Sequence, residues 1–335
     1  MNVFELTRKL IDIESITGNE AGVGACLHSM LAMLATRHGG IVERMVVEEG
    51  RCNVFASFGQ PVVTLSTHMD TVPPFFASRE DGEHIWGRGA CDTKGIIAAM
   101  ICAVEALLTE GRRDFGLLFV VGEERNSAGA FQAAREPRGS RFIINGEPTE
   151  NKLAVGSKGA LRYELIASGR MAHSAYPELG ESAILKLLDA LGAVRGVALP
   201  FDKVLGQSTL NIGVIGGGRA PNVIADDARA ELLVRLVDDG ASTGEALRKA
   251  VDGIAELREV LLIPALHLGS LEGFETTVVS YTTDIPAFGT AWGRPYLLGP
   301  GSIHVAHTSE ERIPKGELTD AVQIYKNMIL ELGRQ

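Results

Sequence analysis

The sequence predicts an α/β protein: a mostly parallel sheet flanked by helices, interrupted by an inserted α+β domain. Two observations predict it. In the first half, and again near the C-terminus, short apolar runs alternate with helical stretches, as parallel strands covered on both faces require. Between residues 158 and 270 the order becomes strand, helix, strand, strand, helix, strand, the βαββαβ arrangement of a small antiparallel sheet with two helices on one face. A chain of 335 residues, 45% hydrophobic and 22% charged, has apolar material for two moderate cores. The expected domains are therefore 1–157 with 271–335, and 158–270 between them.

The opening segment, MNVFELTRKLIDIESITG, places apolar and charged residues at helical spacing and lacks the continuous apolar stretch of a signal peptide. No segment is apolar for long enough to span a bilayer. Strands are expected at 61–67 (PVVTLST), 115–122 (FGLLFVVG), 141–146 (RFIING) and 296–299 (YLLG). A helix at 93–110 is apolar on most faces, which suits packing against a sheet on one side and helices on the others. In the insert the expected order is strand 160–167, helix 182–195, strands 209–215 and 228–236, helix 243–257 and strand 261–268. An amphipathic helix at 318–332 closes the chain.

The formal net charge of −10 argues against nucleic acid or an anionic membrane as partner. Four cysteines (Cys26, Cys52, Cys91, Cys102) show no paired spacing and read as reduced thiols, so the cytoplasm is the expected location.

Ligands of open α/β sheets sit beyond the carboxyl ends of the strands. Here PVVTLST runs into His68 and Asp70, FGLLFVVG into Glu123 and Glu124, and RFIING into Glu147. YLLG opens a glycine loop, GPGSIHVAH, that reaches His307, and Asp92 stands just before the 93–110 helix. Any one of these alone is a solvated loop residue. Collected at one sheet edge, uncompensated carboxylates repel and raise one another's pKa, and a pair of divalent cations resolves that repulsion. Two imidazoles and three carboxylates (His68, Asp92, Glu124, Glu147, His307) are a hard-to-borderline set suited to zinc, with cobalt or manganese as substitutes.

The motifs THMDTVPPF, GRGACDTKG, GEE, GEPT and the AH of SIHVAH resemble the acetylornithine deacetylase, succinyl-diaminopimelate desuccinylase and aminoacylase family of co-catalytic zinc metallohydrolases, from about residue 5 to 330. The resemblance implies a zinc-peptidase-like fold with a ferredoxin-like lid and dimerisation domain. It implies that His68, Asp92 and Glu147 hold one metal and Asp92, Glu124 and His307 the other, with Asp92 bridging. Asp70 would accept the ring N–H of His68, and the Asp92–Thr93 peptide would be cis. Glu123 would be the base: neighbours at a strand end point different ways, so Glu124 can bind metal while Glu123 faces the attacking water. His173, in GRMAHSAYPELGES, matches a histidine that crosses a dimer interface to the oxyanion in the partner's site. Asn222 and Arg235 match contacts to the substrate α-carboxylate, and the glycines of LGPGSI, Gly301 among them, would let the backbone approach the substrate. The competing reading of Arg235 is neutralisation of Asp238 or Asp239. Ala225 stands where the family commonly has proline.

The glycine loop and GEPT resemble the acetylornithine-deacetylase branch. The expected activity is removal of the acyl group from a small N-acyl-L-amino acid by a homodimer joined through 158–270. The alternatives are a dipeptidase or exopeptidase on the same site, and a non-catalytic binding protein that kept the fold; the last should have lost a ligand or the base, and none is missing. Gly216–Gly218 lies between two strands and so is a turn, not a phosphate loop.

Overall fold

Four parallel strands carry the metal-type residues. In the computed structural model, which describes residues 1–335, Phe115–Val120, Val63–His68, Phe142–Asn145 and Arg294–Leu297 lie side by side in that order. Every residue of Val63–His68 and Phe115–Val120 is buried, which explains why these strands read as continuous apolar runs. Antiparallel strands extend both sides: the hairpin Ile41–Glu48 and Arg51–Phe58 beside Phe115–Val120, and Leu153–Ser157 beside Arg294–Leu297. The sheet is thus mixed but parallel at its centre.

The hairpin is not among the strands expected from the sequence. Its outer strand has one buried residue, Met45, and exposes Ile41 and Val46, so no two-residue alternation marks it.

Helices Val3–Ile11, Ala21–His38, Gly95–Thr109 and Lys315–Leu332 share one core with the sheet. Residues Gly95 to Val104 are all buried, as the all-round apolar pattern requires. Helices Ala128–Arg135 and Ile285–Phe288 contribute to a second core around Trp292, whose ring meets Phe55 edge-on at 5.5 Å. Burying a large apolar side chain of this kind contributes about 1.5–3 kcal/mol. The helix expected from 93 begins at Gly95, because Asp92 and Thr93 have non-helical backbone angles. The closing helix begins at Lys315, directly after Pro314.

The chain divides into two units, Met1–Val155 with Leu268–Thr277 and Thr283–Gln335, and Gly156–His267 with Val278–Thr282. The divisions fall at 155/156 and 267/268 where the sequence suggested 157/158 and 270/271, and the return of Val278–Thr282 to the second unit has no sequence signal. The second unit holds an antiparallel sheet in the order Thr209–Gly217, Asp227–Leu236, Gly159–Ser168, Glu256–Ile263. Helices Ala183–Arg195 and Ala241–Val251 complete a βαββαβ chain order, with Leu161, Tyr163, Leu187, Leu232 and Leu247 in their shared core. The second helix stops at Val251, short of the expected 257, because Asp252 and Gly253 turn the chain; Gly253 sits at φ +70°, where a side chain is strained. The last strand accordingly starts at Glu256. All four cysteines are free, and no helix is long and apolar enough to cross a membrane.

Candidate metal centre

The parallel strands deliver their terminal residues to one place. His68 ends its strand, Glu123 and Glu124 follow Phe115–Val120, and Glu147 follows Phe142–Asn145. Asp92 reaches the same place from the turn before Gly95–Thr109, and the Asp92–Thr93 peptide is cis. His307 arrives on the loop after Arg294–Leu297, itself at φ +61°.

Asp92 is the centre of the arrangement. Its Oδ1 lies 2.9 Å from His68 Nε2 and its Oδ2 lies 3.2 Å from His307 Nε2. One carboxylate thus turns a separate oxygen to each imidazole, the geometry a bridging ligand needs. Glu124 Oε1 is 3.0 Å from the same His307 nitrogen. Ligand atoms of His68, Asp92 and Glu124 all lie within 4.8 Å of one another, close enough to hold a metal ion. Glu147 is 4% exposed, and its Oε1 has no hydrogen-bond partner. A buried carboxylate oxygen without a donor is costly, and a cation satisfies it. The donor set present therefore fits a divalent metal.

The electrostatics say the same. Burial pushes the Glu147 and Glu123 carboxyls well above the usual range, and the neighbouring acids add to it. Glu124 is raised too, chiefly by burial. Burial opposes charge on His68, yet the Asp70 and Asp92 carboxylates hold its pKa well above normal. His307 is pushed up to about 10 by Asp92 and then Glu124. The site's field calls for positive charge.

His68 Nδ1 donates to the main-chain oxygen of Asp70 at 3.0 Å, which leaves Nε2 to present a lone pair. The Asp70 carboxylate, expected to accept that proton, is farther away at 3.5 Å and is otherwise engaged. It accepts from the amides of Gly122, Glu123 and Glu124 and from the Thr17 hydroxyl. The Asp70 carbonyl therefore sets the tautomer, which sequence spacing does not reveal.

Three buried charged residues near the centre carry no sequence signal. Arg88 and Glu311 form a buried ion pair at 2.6 Å, and Glu311 Oε1 accepts from the Asp92 amide at 3.3 Å. Burial and the Asp92 charge push Glu311 up to about 7. Asp284, in TTDIPAF, is fully buried beside Ser127 and is pushed up to about 7, chiefly by burial. The Gly301 backbone is engaged within the protein: its amide donates to Glu317 at 2.7 Å, and its carbonyl accepts from Glu150 at 2.8 Å. A Cβ there would lie 2.6 Å from the Cβ of Cys91, so the glycine is required by packing.

In the second unit, Ala172–His173 pairs with Val223–Ile224, and the Ser174 amide donates to Asn222 O at 3.0 Å, so His173 and Asn222 are neighbours. The Ala175 amide donates to His173 Nδ1 at 3.1 Å, which assigns the ring proton to Nε2 and leaves an exposed donor. Arg235 is half-buried and its guanidinium has no carboxylate partner; Asp238 and Asp239 instead accept from the amides of Gly240 and Ala241. Neutralisation by those aspartates is not what the structure shows.

A sheet whose strand ends gather two imidazoles and three carboxylates, with a further half-buried glutamate beside them, fits a metal-dependent hydrolase. The chain belongs to peptidase family M20/M25/M40, whose model matches residues 64–331. A peptidase M20 domain-containing protein of Schizosaccharomyces pombe is 38% identical over 98% of this chain and 84% of its own length. A probable carboxypeptidase of Aspergillus clavatus is 38% identical over 96% of this chain and 80% of its own. The fold is similar to that of a tripeptidase from Staphylococcus aureus, with a TM-score of 0.84 and 22% identity over 99% of this chain and 98% of that one. It is also similar to a dinuclear metal binding peptidase of Bacillus subtilis, with a TM-score of 0.71 and 17% identity over 99% and 98%. The protein is a metallopeptidase-family hydrolase acting on amide bonds. The narrower acetylornithine-deacetylase branch is not singled out, since curated relatives carry the name carboxypeptidase.

Proposed function

We propose that the protein hydrolyses the amide of a small N-acyl-L-amino acid, using two divalent ions, zinc foremost. His68, Asp92 and Glu147 would hold one ion, and Asp92, Glu124 and His307 the other. When bound, the ions supply Lewis-acid polarisation of the scissile carbonyl and acidify the attacking water. Glu123 accepts the proton from that water and returns it to the leaving amine as the C–N bond breaks. Its burial, which raises its pKa, suits a group that must hold a proton between the two transfers. His173 Nε2–H donates to the oxyanion of the transition state.

The observation that carries the substrate class is Arg235, a half-buried guanidinium with no carboxylate partner in the protein. A substrate α-carboxylate would pair bidentately with that guanidinium, and Asn222 is a further candidate donor to it. The second reading, a dipeptidase or carboxypeptidase, uses the same chemistry, because a peptide's C-terminal residue presents the same amide and carboxylate. The names of the fungal and staphylococcal relatives favour it.

A panel of N-acetyl and N-succinyl amino acids and dipeptides, each as free acid and as C-terminal amide, tests both. The free acids alone turn over, and Arg235→Met raises KM by about 30-fold or more, as loss of one partner of a desolvated charge pair costs at least about 2 kcal/mol. Equal turnover of acids and amides would remove Arg235 from the site. Hydrolysis of dipeptides alone would select the second reading.

A homodimer joined through the inserted unit is part of the proposal. That unit exposes Leu185 (63%), Leu188 (52%), Val214 (51%) and Ile215 (57%) on helix Ala183–Arg195 and the sheet-edge strand Thr209–Gly217. An edge strand with apolar exposure is a template for pairing with a second copy. The four free thiols fit a reducing cytoplasm.

A further inference from the structure

Thr17 belongs to no metal motif and precedes the first of them by about fifty residues, yet the fold brings it to the back of the centre. Its hydroxyl donates to Asp70 Oδ2 at 2.8 Å. Asp70 is fully buried, and its carboxylate spends its remaining capacity on three successive amides: Oδ1 accepts from Gly122 at 3.0 Å and Glu123 at 3.1 Å, and Oδ2 from Glu124 at 3.2 Å. Those amides belong to the turn that carries the base and a metal ligand. The Asp70 carboxylate is thus a clasp on that turn, while its carbonyl serves His68.

The segment around Thr17 is itself fixed to the centre. Ile16 and Thr71 form a parallel bridge, with Thr17 N donating to Thr71 O at 3.1 Å and Thr71 N to Ser15 O at 3.0 Å. The buried Ser15 hydroxyl donates to Met69 O at 2.8 Å, and the Lys94 ammonium, on the far side of Asp92, donates to Ile13 O at 2.7 Å. Residues 13–17 therefore run as a short splint along Met69–Thr71.

We propose that residues 13–17 are a positioning element of the catalytic centre, in which Thr17, acting through Asp70, holds the Glu123–Glu124 turn in its working geometry. This rests on the reading of Glu123 as the base. Thr17 touches neither substrate nor metal; it removes freedom from the carboxylate that clasps the turn. Without the hydroxyl, one oxygen of a buried anion loses its shortest donor, and the turn gains play.

The test uses the full-length, metal-loaded enzyme. Thr17→Val, which keeps the shape and removes the donor, lowers kcat about tenfold, the scale on which groups behind a metal ligand act, and changes KM less than about twofold. Thr17→Ser restores most of the loss. In metal-free protein, hydrogen exchange of the peptide covering residues 122–124 speeds up in Thr17→Val and not in Thr17→Ser. On the residual turnover of Glu123→Gln, adding Thr17→Val causes no further loss. Thr17→Ala carries the same expectations if the valine variant does not fold.

Wild-type kcat in the hydroxyl-free variants, unchanged exchange at 122–124, or a full tenfold loss on top of Glu123→Gln would each overturn the proposal. Turnover that survives Glu123→Gln alone would instead remove the base assignment. An inactive Glu123→Gln beside a fully active Thr17→Val removes only the role of Thr17.

Discussion

Glu123→Gln lowers kcat by about 10²–10⁴-fold while the protein still binds its metal ions. The expectation follows from the division of labour at the end of Phe115–Val120. Glu124 Oε1 is committed to His307 at 3.0 Å, whereas Glu123, beside it in the chain and near the charges of Asp92, Glu124 and Asp284, makes no such pair. Glutamine keeps the volume and loses only the capacity to take a proton. The same variant tests whether His173 works on a partner's site. Mixed with His173→Ala, it regains activity as hybrid dimers form if the histidine acts in trans, and regains none if it acts within its own chain. Metal content measured on the dialysed variant separates a lost base from a lost ligand.

Arg88→Met destabilises the fold by about 3–5 kcal/mol, the cost of leaving a buried carboxylate without its partner. Arg88 is 1% exposed and donates to Glu311 Oε2 at 2.6 Å and to the Pro74 carbonyl at 3.2 Å. Its guanidinium also lies over the Phe76 ring at 5.0 Å. Glu311 in turn accepts from the amide of Asp92, so the pair ties the Asp92 backbone to the loop that follows His307. Urea unfolding of the metal-free protein measures the loss without contributions from bound ions. The double variant Arg88→Met/Glu311→Gln recovers most of it, because the uncompensated charge is gone. A loss below about 1 kcal/mol in the single variant would mean that solvent reaches the pair.

Three of the candidate metal ligands were legible from the strands, since His68 ends one apolar strand and Glu124 and Glu147 follow two others, whereas Asp92 and His307 lie on loops. Val63–His68 and Phe115–Val120 are buried throughout, so the first charged residue after each marks the sheet edge. The split order of the inserted unit was legible for a similar reason, since Asp227–Leu236 alternates buried and less buried positions cleanly. Thr17, Arg88, Asp284 and Glu311 were not legible as parts of the site. Each is a lone polar residue whose meaning comes from a partner far along the chain, such as the 223 positions between Arg88 and Glu311. No local period encodes such a pairing. The two-residue spacing of His68 and Asp70 suggests a carboxylate–imidazole contact; the carboxylate lies 3.5 Å from the ring nitrogen, and the Asp70 carbonyl, at 3.0 Å, shares it, which the spacing does not reveal. The packing of Gly301 against Cys91 and its hydrogen bonds with Glu150 and Glu317 come from residues far along the chain and have no sequence signal.

In the proposed mechanism Asp92 joins two metal positions in one amide-cleaving site. Chelator-stripped protein titrated with zinc, with bound metal and hydrolysis of the preferred free-acid substrate followed together, tests it most directly. Stripped protein shows negligible turnover, added zinc restores it with two ions bound per chain at saturation, and Asp92→Asn loses the tight binding of both ions. Full turnover by stripped protein, or an Asp92→Asn variant that binds two ions as tightly as the parent, would contradict it.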